Sequence, residues 1–382
     1  MVVDGARIAA VTPADGPEAV GGSDEWLAPA FWDIQLNGRW GISFADPTLT
    51  VEQVAEIVRA QAALGAARIC PTLITASRET LRHGVQTIAA ACDESPDVGL
   101  CVAGLHLEGP YLSEIDGYRG AHPKEQVRDP DWSEFQALQD AARGRIVLIT
   151  LAPERPGALE FIRRATLSGV VVAIGHTAAD GATLRAATAE GARLSTHLGN
   201  GISATLPRHP NPIWEQAALD YLSASLIADG HHLDRATLRV LVRAKTPERI
   251  ILVSDASPLA GLPPGEYGGW EVAASGKIVV AGTPYLAGSN QGLDVGLANL
   301  LGAGVVTLSQ ALATVTRHPA RLLGRPAPVL QAGEPANLVG FTCPRRGPGP
   351  QPGFSLRWAC VDGRWVDAHD DGPPRNMVPG RP

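Results

Sequence analysis

The sequence predicts a (β/α)8 barrel with a small β-domain beside it, and three observations carry that expectation. Eight short apolar runs recur between residue 31 and about residue 257. Amphipathic segments of helical period separate most of them. Acids and histidines gather at the C-terminal ends of the runs, where this fold places its chemistry.

The runs are FWDIQLNG, ARICPTLIT, CVAGLHLEGP, RIVLITLAPE, VVVAIGHT, RLSTHLGNG, LSASLIADG and RIILVSDAS. Each is rich in Val, Ile or Leu, as strands buried on both faces are. Between them lie TVEQVAEIVRAQAALGA, SRETLRHGVQTIAAA, GALEFIRRATLSG, DGATLRAATAEGA and DRATLRVLVRAK, which read as helices. A doubly wound open sheet would alternate in the same way, but no G-x-G-x-x-G follows the first run.

After the eighth run the pattern changes. EYGGWEVAASGKIVVAG reads as a hairpin, LDVGLANLL and TLSQALATVTRHPARLLG as helices, and ANLVGF and SLRWACVDGRWV as short strands. Residues 31–324 are therefore expected to form the barrel. Residues 1–30 and 325–382 are expected to supply the small β-domain, with DDGPPRNMVPGRP as a loose terminus.

A chain of 382 residues is well sized for that arrangement. Its net charge of −7 argues against nucleic acid as a partner, which calls for a basic face. The same charge is compatible with a small anionic substrate, because a pocket needs only local positive charge or backbone N–H groups. Five cysteines form no CxxC pair and no framework, which suits a reducing compartment, and the chain is expected in the cytoplasm. MVVDGARIAAVTPADG lacks the features of a signal peptide. No run approaches the roughly 18 uninterrupted apolar residues of a membrane span, so no membrane partner is expected.

Glu108 ends the third run in HLEGP, His176 the fifth in IGHT, His197 the sixth in STHLGN and Asp255 the eighth in LVSDAS, while His232 follows the seventh in IADGHH. One histidine in such a place is usually an ordinary loop residue, and one aspartate is often a helix cap. Independent caps would not be expected to set a Glu, two His and an Asp at the ends of runs three, five, six and eight together. A catalytic Zn²⁺ takes about three His or carboxylate ligands and keeps a position open, which Glu108, His176 and His197 would satisfy. Asp255 would then be the acid–base group, and His122 and His232 would hold the substrate or stabilise an oxyanion. Fe²⁺ and Co²⁺ accept the same ligands. His106 shares a strand face with Glu108 and reads as its supporting partner or as core. His83, His318 and His369 read as ordinary residues.

The segments APAFWDIQLNG, GLHLEGPYL, GYRGAHP, IGHT, STHLGN, LIADGHHLD, ILVSDAS, LAGS and ANLVGF resemble, in order and spacing, the amidohydrolase superfamily and within it the N-acetylglucosamine-6-phosphate deacetylase family. Many amidohydrolases carry H-x-H on the first strand for a second metal. Gln35 and Asn37 stand there in this chain, so the resemblance implies one divalent metal per site. It further implies Glu108, His176 and His197 as ligands and Asp255 as the acid–base. His122 and His232 would contact the acetamido carbonyl and sugar hydroxyls. Asn200 and the Gly201 backbone would meet the phosphate, with Arg208 reaching it from the other subunit of a homodimer. The implied reaction is hydrolysis of the N-acetyl amide of N-acetylglucosamine-6-phosphate or a close amino-sugar phosphate. Where the family often reads G-R-E-P-G, this chain reads LPRHPNPIWEQ, which leaves the exact sugar phosphate open. The competing readings are an amidohydrolase for another amide, a cyclic imide or an aminopurine, and a non-catalytic binding barrel. Among the first, dihydroorotase-like enzymes usually keep the strand-one H-x-H and a metal-bridging lysine, neither of which this chain has. The second would be supported by loss of Asp255 or a ligand, all of which are present.

Overall fold

The computed structural model describes residues 1–12, 24–343, 353–369 and 372. Each of the eight apolar runs contains a strand: β1 (Phe31–Leu36), β2 (Ala66–Ile74), β3 (Leu105–Glu108), β4 (Ile146–Leu151), β5 (Val171–Ile174), β6 (Leu194–Ser195), β7 (Ser223–Leu226) and β8 (Ile250–Leu252). They pair in chain order and all in parallel. A parallel bridge between Leu36 and Ala256 closes the seam from β8 to β1. Across it Asp255 N–H donates to Gln35 O and Asn37 N–H to Ala256 O, both at 2.9 Å. The seam therefore sets Asn37 beside Asp255, far apart in sequence.

The barrel interior is filled by Ile34, Cys70, Leu148, Ala173, Leu194, Ile227, Ile251 and Val253, a packed plug rather than a pore. Outward-facing residues join the helices in a larger core, which takes in Val54, Ile57 and Val58 of helix Val51–Ala60 and Leu238, Leu241 and Val242 of helix Arg235–Lys245. The helices start where short polar side chains can take a free N–H. Thr50 with Gln53 forms a capping box, and Ser77, Asp180 and Asp234 each accept from the residue three further on. A helix over Trp132–Ala141, which the sequence pattern did not single out, is capped in the same way by Asp131.

Two readings are refined. The expected hairpin is a three-stranded meander, Gly265–Tyr267, Trp270–Val272 and Ile278–Val280. Its first turn is the pair Gly268–Gly269, both with positive φ (57° and 87°), which lets a two-residue loop reverse the chain inside EYGGW. TLSQALATVTRHPARLLG divides into helices Leu308–Thr314 and Arg317–Leu322, because Thr316 departs from helical geometry at φ −129°, ψ −87°.

The small β-domain uses both ends of the chain. Glu25–Pro29 pairs antiparallel with Leu338–Thr342, followed by Ser355–Val361 and Arg364–Asp367. A separate hairpin, Val2–Asp4 with Arg7–Ala10, docks on this region through Ile8 N–H to Glu334 O (2.9 Å) and Ala336 N–H to Ala6 O (2.8 Å). The expected loose terminus from Asp370 lies outside the described residues except for Gly372. Among the described residues no helix is long and apolar enough to cross a membrane.

Candidate active site

Glu108 is the last residue of β3, while His176 and His197 each lie two residues beyond β5 and β6, and Asp255 three beyond β8. At these three the backbone leaves the strand with φ of 50°, 30° and 47°. Non-glycine residues rarely adopt that left-handed region, and such outliers cluster at functional sites. The loops close tightly on the ring of His176. A Cβ on Gly201 would lie 2.7 Å from its Cε1, so only glycine fits there.

The side chains converge on one point. His176 Nε2 lies 3.2 Å from Glu108 Oε1 and 3.1 Å from His197 Nε2, and His197 Nε2 lies 2.9 Å from Glu108 Oε1. All three residues are buried. His176 Nδ1 donates to Tyr118 O at 3.0 Å, which leaves its Nε2 lone pair facing the cluster. Three such atoms cannot all satisfy one another by hydrogen bonds. A tetrahedral cation with ligand bonds of about 2.0–2.1 Å has ligand–ligand edges of about 3.3–3.4 Å, close to this triangle. The donor set and spacing thus fit a metal ion.

Burial opposes the charge of Glu108, but its contacts with His176 and His197 outweigh that and hold it well below the usual carboxylate range. Asp255 behaves in the opposite way: burial, reinforced by the charge of Glu108, pushes it up to about 7. A carboxyl that titrates near neutrality is suited to both taking and giving a proton. Asn37 Nδ2 donates to Asp255 Oδ1 at 2.7 Å. The amide standing where a second metal would need a ligand is therefore engaged with the acid–base candidate.

His122 packs on the cluster, with Nε2 3.2 Å from His176 Nε2. Its Nδ1 receives the Thr75 N–H at 3.4 Å and lies 3.0 Å from the Thr75 hydroxyl, which puts the ring proton on Nε2. Burial and the neighbouring His176 push His122 down to about 3, so it is neutral. These groups border a cavity of ≈ 230 Å³, also lined by Asn200, Gly201 and His232. That is below the roughly 300–1,000 Å³ of drug-sized pockets and on the scale of one small molecule. Asn200 Nδ2 is buried and without a partner among the described residues. The opposite wall comes from the meander and its return, including Trp270 and Tyr285.

Of the residues expected from the sequence, eight meet at this cavity: Glu108, His122, His176, His197, Asn200, Gly201, His232 and Asp255. Arg208 does not. It is exposed on the loop between β6 and helix Pro212–Ala218. His106 lies deeper, with Nε2 2.8 Å from Thr150 Oγ1, as a supporting or core histidine should. His83 and His318 hydrogen-bond to the backbone carbonyls of Leu49 and Ile250. Sequence reasoning missed the role of Thr75, the partnership of Asn37 with Asp255, and the aromatic wall. It also missed Asp229, although an acid three residues before His232 was visible in IADGHH.

A closed parallel barrel with acid, imidazole and a cation-sized triangle at the C-terminal ends of its strands has the architecture of a metal-dependent barrel hydrolase. The amidohydrolase family model matches residues 26–363. The human N-acetylglucosamine-6-phosphate deacetylase is 37% identical over 311 residues, 78% of this chain and 74% of its own. The Escherichia coli O157:H7 N-acetylgalactosamine-6-phosphate deacetylase is 33% identical over 326 residues, 85% of this chain and 84% of its own. The crystal structure of the Mycobacterium smegmatis N-acetyl-D-glucosamine-6-phosphate deacetylase superposes with a TM-score of 0.84 at 30% identity, covering 96% of this chain and 94% of that one. A mutant of that enzyme in complex with N-acetyl-D-glucosamine-6-phosphate gives 0.83 over the same shares. The chain belongs to the amidohydrolase superfamily and, within it, to the N-acetylglucosamine-6-phosphate deacetylase family.

Proposed function

We propose that this protein hydrolyses the N-acetyl amide of N-acetylglucosamine-6-phosphate, or a close amino-sugar phosphate, to acetate and the free amine in amino-sugar catabolism. The observation that carries the reading is the buried Glu108–His176–His197 triangle with Asp255 beside it in a cavity of monosaccharide scale. The names of the relatives and the sugar phosphate bound by the Mycobacterium smegmatis variant support the substrate class.

Glu108, His176 and His197 would hold one divalent cation, with Zn²⁺ favoured and Fe²⁺ or Co²⁺ acceptable to the same donors. When bound, such an ion supplies Lewis acidity that polarises the amide carbonyl and acidifies water. Asp255 takes the proton of the attacking water and passes it to the leaving amine nitrogen, and Asn37 steadies the oxygen it touches. His122 donates from Nε2 to the acetamido oxygen as charge develops there. His232 contacts the sugar hydroxyls. Asn200 and the Gly201 N–H meet the phosphate at the barrel end where phosphate sites commonly form.

Arg208 completes the phosphate site of a second subunit in a homodimer, a role compatible with its exposure outside its own cavity. The five unpaired cysteines suit a reducing compartment, and we place the protein in the cytoplasm. Acetate release from N-acetylglucosamine-6-phosphate, its unphosphorylated form and N-acetylgalactosamine-6-phosphate tests the reading. Preference for a phosphorylated substrate supports it, and equal rates with and without phosphate overturn the phosphate assignment. Arg208→Ala should lower kcat/KM for the phosphorylated sugar by roughly 2–4 kcal/mol, mainly through KM. Mixing it with Asp255→Asn chains should restore activity if the arginine crosses a dimer, since one site then carries both groups.

A further inference from the structure

Asp229, in the loop after β7, has a side chain only 4% exposed, and each of its oxygens takes two hydrogen bonds. Oδ1 accepts the backbone N–H groups of His231 (2.8 Å) and His232 (2.9 Å). Oδ2 accepts from His232 Nδ1 at 2.8 Å and from the Ser289 hydroxyl at 2.9 Å. Burial opposes its charge, but the contact with the His232 ring and the two backbone donors outweigh that and hold the carboxyl well below its ordinary range.

Two parts of the cavity meet on this carboxylate. His232 lines one side, and Ser289 directly follows Leu286, Ala287 and Gly288, which line another. Ser289 N–H also donates to Asp255 O at 2.9 Å. A carboxylate needed only to order its own turn would use the two backbone N–H groups. Here the second oxygen is devoted to a ring and to the return of the meander. A proton on Nδ1, given to Asp229, leaves the Nε2 lone pair of His232 as the acceptor on the other side of the ring.

We propose that Asp229 is a positioning residue: it fixes His232 with the proton on Nδ1 and Nε2 presented to a substrate hydroxyl, and it pins Ser289 so that ring and wall keep one spacing. The inference rests on the hydrolase reading of this cavity. Asp229→Asn keeps the shape, and its carbonyl can still take both backbone N–H groups. Its NH2 then faces Nδ1, so the ring must move its proton to Nε2 or turn.

The test pairs kinetics with nitrogen NMR of the metal-loaded protein, the His232 signal being assigned by its loss in His232→Ala. Wild type should show the proton on Nδ1, and Asp229→Asn should move it or shift the pattern. For a sugar phosphate that the wild type deacetylates, Asp229→Asn should lower kcat/KM by about 10- to 100-fold with metal content unchanged. In a His232→Ala background the same change should matter less than about threefold, because both act through one ring. An unprotonated Nδ1 in wild type, an unaltered pattern in Asp229→Asn, or a full multiplicative loss in the His232→Ala background would overturn the proposal. Should the wild type release no acetate at all, the substrate reading fails, and the NMR result alone decides the role of Asp229.

Discussion

One layer beneath the metal-fitting triangle, His106 Nε2 lies 2.8 Å from Thr150 Oγ1, which lies 2.8 Å from Thr196 Oγ1. On its other side His106 Nδ1 faces Thr72 Oγ1 at 3.4 Å, and that hydroxyl takes the Leu36 N–H at 3.0 Å. Burial pushes His106 down to about 4, so the ring is neutral, and donors and acceptors alternate along the chain. The layer above, with Glu108, His176, His197 and Asp255, is buried to a similar degree but unbalanced. Imidazoles crowd one carboxylate oxygen, His197 Nδ1 has no partner among the described residues, and Asp255 is pushed up to about 7. Both layers are polar, so polarity does not identify the functional one. The deeper layer satisfies itself, whereas the upper layer needs something the chain does not supply.

The largest effect should follow from breaking the upper layer at its metal-fitting corner. His176→Ala is expected to lose bound metal and acetate release together, with kcat/KM down by about a thousandfold or more. Elemental analysis beside the activity assay checks this, and full metal content in an inactive variant would count against the ligand assignment. Asp255→Asn comes next. It should keep its metal while kcat falls by about a hundredfold or more, because shape is preserved and the base is gone. Activity within a few-fold of wild type would remove Asp255 from the chemistry.

The deeper layer should answer in stability instead. Thr150→Val keeps the volume but strips the hydroxyl that joins His106 to Thr196. It should cost about 1–3 kcal/mol in denaturant unfolding and leave the metal in place. A variant that unfolds normally but loses metal would mean that the two layers are not separable.

Much of this was legible because strand ends carry both a period and a chemistry. The eight runs announce themselves by β-branched and leucine content, and Glu108, His176, His197 and Asp255 stand where those runs stop. What escaped depends on distant parts of the chain. Asn37 meets Asp255 across the barrel seam, 218 residues away, and nothing local in DIQLNG points there. Ser289 reaches Asp229 over 60 residues. The first strand of the meander was hidden because its turn is two glycines inside an otherwise strand-like run. The left-handed backbones of His176, His197 and Asp255 were illegible for another reason, since those residues ordinarily avoid that region. Arg208 differs again: the sequence around it departs from the family's pattern, and a residue expected to serve the other subunit's site is not expected among the lining of its own cavity.

The smallest expected effect is also the one that most sharpens the contrast, because its sign reverses between the layers. In metal-free protein the Asp255 carboxyl sits at about 7, above its ordinary value of 3.8, chiefly through burial and then through the charge of Glu108. A carboxyl raised on folding means that the folded state holds more protons than the unfolded one between those two values. Stability must then fall as pH rises from about 4 to about 7, and stay lowered above that. Asp255→Asn removes the ionisation, while its Oδ1 can still accept from Asn37. Metal-stripped Asp255→Asn should therefore be more stable than metal-stripped wild type at pH 8, by about 1–2 kcal/mol, and should lose that advantage near pH 4. Thr150→Val, measured alongside, should be less stable at both pH values, because a balanced hydrogen-bond chain has no strain to release. Denaturant titrations of the three proteins at the two pH values decide it. If Asp255→Asn proved less stable than wild type at pH 8, the carboxylate would be a structural member of the upper layer, and the division between a self-satisfied ring and a waiting one would not hold.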